Sequence, residues 1–243
     1  MKTRLDQRVV DEGMAESREQ AKRLILAGSI LNQHGEALTK PGVAIDEKIP
    51  IQLKEPLKYV SRGGLKIEGF MKDLPLSIQG FCCIDIGAST GGFTDYLLQN
   101  GAVKVVCVDV GAGILHWKIR NDSRVKVLEK MNARSLPPET TGDSFDLGVM
   151  DLSFISLKLV LPAVIPLIRK DGYLITLVKP QFEAGREHVA KGWVVKSEEI
   201  QQQCVDQIRQ FGTEHGLKAL KEAPCCIKGP AGNQEYFIFF QKA

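Results

Sequence analysis

The sequence predicts a doubly wound α/β sheet preceded by a small α+β unit, and three observations carry that expectation. From residue 81 onward, apolar runs of strand length alternate with helical patterns, as in parallel sheets built from β-α-β steps. The last two runs flank Gly229-Pro230-Ala231-Gly232, which predicts an antiparallel hairpin at one edge of the sheet. The first sixty residues break this alternation and mix short helical and short strand-like pieces.

In that first segment Leu5, Val9 and Val10 form a short amphipathic stretch. Ser17 is placed to cap a second helix, whose apolar face is Ala21, Leu24, Ile25 and Ala27, and Gly28 ends it. Strand-like pieces follow at 29–32 and 49–53, separated by turn residues at Gly35 and Pro41-Gly42. Arg4 and Arg8 at i, i+4, and Arg18, Lys22 and Arg23 along the second helix, read from charge alone as solvated helix faces. In the larger segment strands are expected at 81–86, 103–110, 125–128, 145–150, 172–178, 217–227 and 235–241. Helices are expected at 91–99, 157–168 and 197–215.

Composition narrows the class. Of 243 residues 44% are hydrophobic and 25% charged, which suits an ordinary globular chain. The net charge of +3 is too small to announce a nucleic-acid partner by itself. The apolar stretch 157–168 is interrupted by Lys158, Pro162 and Pro166 and is shorter than the ~18 residues of a membrane span. The N-terminus carries charge where a signal peptide needs an apolar run, so a cytoplasmic protein with no membrane partner is expected. The six cysteines form no C-x-x-C pair and the four histidines no ligand pattern. The cysteines are read as packing residues, five of them within strands, the histidines are scattered, and no metal is expected. Trp117 and Trp193 are likewise read as packing in a helix and anchoring a loop.

The strongest motif is the run Asp85 to Thr94, with Gly87, Ala88, Ser89, Gly91, Gly92 and Phe93, between the first large-unit strand and a helix. Small residues let the backbone approach a ligand, and the helix start offers free N–H groups. Ser89 stands where a dinucleotide loop needs its second glycine, and no G-K-[ST] follows for a phosphate loop. Asp109, followed by Val110, ends the second strand, where a carboxylate can accept ribose hydroxyls. Asp151 and Lys179 end the fourth and fifth strands, Glu235 begins the last, and Lys66 lies on a short helix before the first. Asp151-Leu152-Ser153-Phe154 lacks the paired prolines of amino-group methyltransferases. Cys225 and Cys226, expected inside a strand, are poorly placed for a nucleophile.

The pattern of strand, D-x-G-x-x-x-G-G, helix, strand and Asp resembles class I S-adenosylmethionine-dependent methyltransferases, with a Rossmann-like sheet and an antiparallel edge hairpin. That resemblance implies cofactor contacts from Asp85, Gly87, Ala88, Ser89, Gly91, Gly92, Phe93, Asp109, Val110 and Asp151, with Asn132 and Ala133 against the adenine. R-L-D-Q at 4–7, the run 13–28 and T-K-P-G at 39–42 resemble an S4 RNA-binding domain, which implies that Arg4, Arg18, Lys22 and Arg23 face RNA phosphates. Lys66, Asp151, Lys179 and Glu235, in that order, match the catalytic tetrad of FtsJ-type ribose 2′-O-methyltransferases. The whole chain is similar to the TlyA, or hemolysin A, family. The resemblance implies an S4 domain at 1–57, a linker at 58–62 and a methyltransferase domain at 63–243. It implies methylation of the cytidine ribose in ribosomal RNA or a ribosomal subunit. Arg62, Arg186 and Lys191 are further candidates for phosphate contact. The alternatives are a non-catalytic RNA-binding assembly protein and, from the family's older name, a membrane-lysing protein.

Overall fold

The computed structural model describes residues 2–54, 58–137 and 144–243. Two compact units divide the chain between residues 57 and 58. The domain boundary expected at 57 falls on 55–57, outside the described residues.

The smaller unit runs β1 (Lys2–Arg4), α1 (Leu5–Asp11), α2 (Arg18–Leu26), β2 (Ile30–Asn32), β3 (Ala44–Asp46) and β4 (Ile51–Leu53). Ser17 caps α2 as its sequence predicts, its hydroxyl accepting from the Gln20 N–H, and the chain leaves the helix through Gly28 at φ +68°. β1 pairs antiparallel with β3 and β2 with β4. Leu5, Val9, Ala21, Ile25, Ile30 and Ile51 form the unit's core. Arg8 corrects the solvated-face reading: it is buried, donating to the Asp46 carbonyl at 2.8 Å and to Glu12 at 2.5 Å. The Asp6 carboxylate is also buried and accepts from Arg4 (2.9 Å) and Arg18 (3.0 Å). The Arg4 contact, with Arg18 helping against the cost of burial, holds this carboxyl well below its usual range.

The larger unit is a seven-stranded sheet. Its elements are α3 (Arg62–Met71), β5 (Cys82–Ile86), α4 (Gly92–Gln99), β6 (Lys104–Val108), α5 (Trp117–Arg120), β7 (Val125–Leu128) and β8 (Phe145–Met150). After these come α6 (Leu161–Val164), β9 (Ile168–Val178), α7 (Pro180–Glu183), α8 (Glu198–Glu214), β10 (Leu217–Pro224) and β11 (Tyr236–Lys242). Strand order is β10-β11-β9-β8-β5-β6-β7, with β11 antiparallel to β9 and β10 and the other pairs parallel. The edge hairpin is therefore present.

The period-two alternation of strand side chains feeds a core on each face. Phe237 and Phe239 pack with Ile67, Phe70, Phe93 and Leu97 on one side, whereas Ile238 and Phe240 pack with Leu161, Val205 and Ile208 on the other. Each fully buried side chain of this size contributes roughly 1.5–3 kcal/mol over its exposed state. The chain turns to opposite sides of β5 in its two halves, so strand order reverses between β5 and β8. Ligands of open α/β sheets bind outside the strand ends at such a point.

Four expectations need correction. The predicted helix at 157–168 is three short turns, because Pro162 and Pro166 lack an N–H to continue an α-helix, and Ile168 already belongs to β9. β10 stops at Pro224, so Cys225 and Cys226 lie beyond it, Cys225 buried and Cys226 exposed. The segment 58–62 is packed within the larger unit: Tyr59 is buried 5.8 Å from the Tyr96 ring, and the Val60 N–H donates to Asp95 at 2.8 Å. Trp117 is exposed, because in the single turn of α5 the buried core-facing residue is Ile119.

Candidate active site

A cleft opens at the C-terminal ends of β5, β8 and β9. One lobe, about 550 Å³, is lined by Lys66, Asp85, Gly87, Asp151, Lys179 and Glu235 among others. The other is lined by Asp109, Val110, Asn132, Ala133 and Arg186. Both lobes share Gly87, Ser89, Asp151, Ser153, Phe154, Gln181, Phe182 and Trp193, so they form one continuous groove.

The loop after β5 lies at the floor of that groove. Gly87 has φ +82°, and a Cβ there would stand 2.6 Å from the Asp151 carbonyl, so only glycine lets the loop pass the end of β8. Gly91, at φ +92°, is the cap of α4, and Gly92 begins that helix. Ser89 and the loop after β6 are tied together by Asp109, which accepts from the Ser89 N–H at 2.8 Å and the Gly111 N–H at 2.7 Å. Asp85 is buried, its Oδ2 accepting from the Thr94 hydroxyl (2.7 Å) and N–H (3.1 Å), while its Oδ1 has no hydrogen-bond partner among the described residues. Burial pushes the Asp85 carboxyl up to about 7, with the Thr94 hydroxyl opposing and the Asp151 charge adding to it.

That shift has a defined sign. Between the ordinary value near 4 and about 7 the folded protein holds a proton that the unfolded chain has lost, so stability falls as pH rises through this window. The full effect is roughly 4 kcal/mol at most, at 1.36 kcal/mol per unit. Denaturant midpoints measured from pH 4 to 8 should show this slope, and Asp85→Asn should flatten it. A wild-type profile that rises through the window would refute the assignment.

The four expected tetrad residues reach the same lobe from separate parts of the chain: α3 for Lys66, the end of β8 for Asp151, the end of β9 for Lys179 and the start of β11 for Glu235. They form two ion pairs, Lys66–Glu235 at 2.6 Å and Lys179–Asp151 at 2.6 Å. Burial draws the Lys66 ammonium down, but the Asp151 and Glu235 carboxylates outweigh it and leave the group raised. Glu235 fits because residue 229 is glycine: a Cβ there would meet the carboxylate at 2.6 Å. Cys225 is no nucleophile here, since burial pushes its thiol up to about 11.

The remaining candidates divide. Arg62 lines the tetrad lobe and Arg186 the other, whereas exposed Lys191 lines neither. Arg4, Arg18, Lys22 and Arg23 belong to the smaller unit, with Lys22 paired to Glu19 and Arg23 exposed. Several groove residues escape sequence reasoning. Ser153, Gln181, Phe182 and Asn233 lie within the runs around Asp151, Lys179 and Glu235 and line the groove, but carry no site expectation of their own. Asn233 anchors the loop before α8, accepting from the Val195 N–H and donating to the Trp193 carbonyl. Trp193 is therefore not the anchor expected: its ring is 61% exposed at the mouth, edge-on to Phe154, which is 83% exposed. Both residues hold positive φ, +63° and +65°. Among the described residues no helix is long and apolar enough to cross a membrane, and no cluster of three metal-ligating side chains occurs.

The 16S/23S rRNA (cytidine-2′-O)-methyltransferase TlyA of Mycobacterium tuberculosis is 40% identical over 242 residues, 99% of this chain and 90% of that protein. A solved structure named "Putative hemolysin from Streptococcus thermophilus" is 42% identical with a TM-score of 0.76, covering 100% of this chain and 89% of that one. Fibrillarin of Aeropyrum pernix, solved with natively bound S-adenosyl-L-methionine, shares the fold at 15% identity and a TM-score of 0.51, over 72% of this chain and 73% of that one. The FtsJ-like methyltransferase family matches residues 59–242, the whole sheet and both ion pairs included, and the chain belongs to that family.

Proposed function

We propose that the protein transfers a methyl group from S-adenosylmethionine to the ribose 2′-hydroxyl of cytidine in ribosomal RNA. The observation that carries this reading is the convergence of Lys66, Asp151, Lys179 and Glu235 on one lobe of a groove whose other lobe is built around Asp109, Asn132 and Ala133. A ribose hydroxyl is a weak nucleophile, so a buried lysine–carboxylate constellation beside a methyl-donor loop suits it well.

The residues present fit the cofactor. The unpartnered Asp85 Oδ1 suits a cationic amino group, the Gly87–Gly92 loop admits a close approach of backbone N–H groups, and Asp109 is placed for ribose hydroxyls. S-adenosylmethionine supplies an activated methyl on a sulfonium centre. The protein then has to place the 2′-oxygen in line and manage its proton. In this reading Lys179 orients the hydroxyl and stabilises the developing alkoxide, and the hydroxyl proton is released to water in the open groove. Asp151 fixes the Lys179 ammonium, and Glu235 holds Lys66 beside them as a second positive charge. Phe154 and Trp193 offer aromatic faces at the mouth on which an unpaired base can stack.

The smaller unit is read as an S4-type RNA-binding domain. Buried Asp6 fixes the half-exposed Arg4 and Arg18 side by side, an arrangement suited to the phosphates of a structured RNA. Lys22, Arg23, Arg62, Arg186 and Lys191 add charge for the same purpose.

The test is direct. Purified protein and methyl-labelled S-adenosylmethionine are incubated separately with small subunits, large subunits and naked ribosomal RNA, and the RNA is digested to nucleosides. Label is expected in 2′-O-methylcytidine from at least one substrate. Label confined to a base, or none in any RNA, sinks the reading.

A further inference from the structure

Lys179 is held by two neighbours, and only one of them belongs to the tetrad. Its Nζ lies 2.6 Å from Asp151 Oδ1 and donates to the Ser153 hydroxyl at 3.0 Å. An ammonium has three N–H donors arranged as a tripod. The Ser153 bond directs one of them, while Asp151 Oδ1 stands against the ammonium as an ion partner outside hydrogen-bond alignment; with the Cε–Nζ bond setting the axis, one directed N–H fixes the other two, and Lys179 lines the tetrad lobe. The carboxylate alone would leave the tripod free to turn about the Cε–Nζ bond. The Ser153 bond removes that freedom.

Ser153 can serve this way because of where the backbone carries it. It lies two residues past Asp151, directly before Phe154, whose φ of +65° turns the chain sharply beyond the end of β8. The residue itself is exposed and lines both lobes of the groove, while its oxygen reaches back to Lys179. Among the described residues the hydroxyl's hydrogen bond is the one with Lys179. An exposed side chain whose hydroxyl bonds the lysine the reaction needs is better explained by orientation than by stability.

We propose that Ser153 is a positioning residue for methyl transfer, sharing the Lys179 ammonium with Asp151 so that a donor it leaves free points at the acceptor hydroxyl. The proposal rests on the 2′-O-methyltransferase reading above. Ser153 needs no contact with the methyl donor, so its effect should fall on the chemical step.

The variants Ser153→Ala and Ser153→Thr test it in the full-length protein. A hydrogen bond to a charged group is worth enough to give about a 10-fold or larger fall in kcat for Ser153→Ala. The KM for S-adenosylmethionine and the affinity for ribosomal RNA should stay within about two-fold of wild type. Ser153→Thr, which keeps the hydroxyl, should recover most of the lost rate. A second measurement needs no turnover: acetylation of Lys179 by acetic anhydride, followed by mass spectrometry, should run several-fold faster in Ser153→Ala and at the wild-type rate in Ser153→Thr. An active wild type with unchanged kcat in Ser153→Ala overturns the proposal and leaves the function standing. Equal Lys179 acetylation in wild type and Ser153→Ala overturns it as well. A wild type that methylates no RNA removes the functional reading and the proposal with it.

Discussion

Lys179→Ala is expected to lower kcat for methyl transfer to ribosomal RNA by about 10²–10⁴-fold, the range typical of a lost proton-handling or charge-stabilising group. The fall should appear in kcat with little change in the affinity for S-adenosylhomocysteine. The groups proposed to hold that molecule are Asp85, the Gly87–Gly92 loop and Asp109, and none takes its position from Lys179: Asp85 is held by Thr94, and Asp109 by the Ser89 and Gly111 N–H groups. A residual rate should survive, because the in-line placement of donor and acceptor persists without the lysine. Folding should be disturbed only modestly. The carboxylate left behind, Asp151, is 21% exposed and can recruit water, unlike Glu235 at 1%. Single-turnover kinetics on purified RNA, together with isothermal titration of S-adenosylhomocysteine, separate these effects. A rate within about three-fold of wild type would remove Lys179 from the chemistry.

What could be read in the sequence follows from the range of the forces involved. The Ser17 cap, the strands 145–150 and 125–128 and the loop from Asp85 to Thr94 are specified by neighbours in the chain, and the structure places them as expected. β1 and β3 carry no such signal: each has three residues, and they find each other across some forty positions. The 157–168 segment shows the opposite failure. Its apolar pattern suits a helix, but two prolines each remove a donor, so the pattern continues as broken turns that still bury Leu157, Leu161, Val164 and Leu167. In the groove, residues at strand ends were legible because the topology dictates that strand ends meet there. Ser153, Gln181 and Asn233 were not, because each acts through one or two hydrogen bonds or one wall position that no spacing encodes. Exposure was the hardest property to read. Arg8 was expected outside and lies inside, held by the Asp46 carbonyl, while Trp117 and Trp193 were expected to pack and stand in solvent.

Glu235→Ala is expected to cost about 3–5 kcal/mol of folding stability as well as activity, because it strands the Lys66 ammonium in a site where that side chain is 8% exposed. The ion pair is not itself a large source of stability. Taking both charges out of water costs several kcal/mol per ion, and their attraction offsets that cost only while both are present. The double variant Lys66→Met/Glu235→Leu should therefore regain most of the stability lost in Glu235→Ala, since apolar groups of similar volume fill the space without a charge to solvate. It should not regain methyl transfer. Urea midpoints and RNA methylation measured on the same three proteins test both halves of the argument. The pH dependence adds an independent check. A lysine whose folded value is raised contributes stability that is complete below its unfolded value, near 10.4, and lost as pH rises through the folded one. The wild type should thus lose stability above about pH 10 more steeply than the double variant. If the double variant is instead as unstable as Glu235→Ala, the pair is a packing requirement of α3 against β11. If it is stable and inactive, the two charges are retained for what they do in the groove, against their own cost of burial.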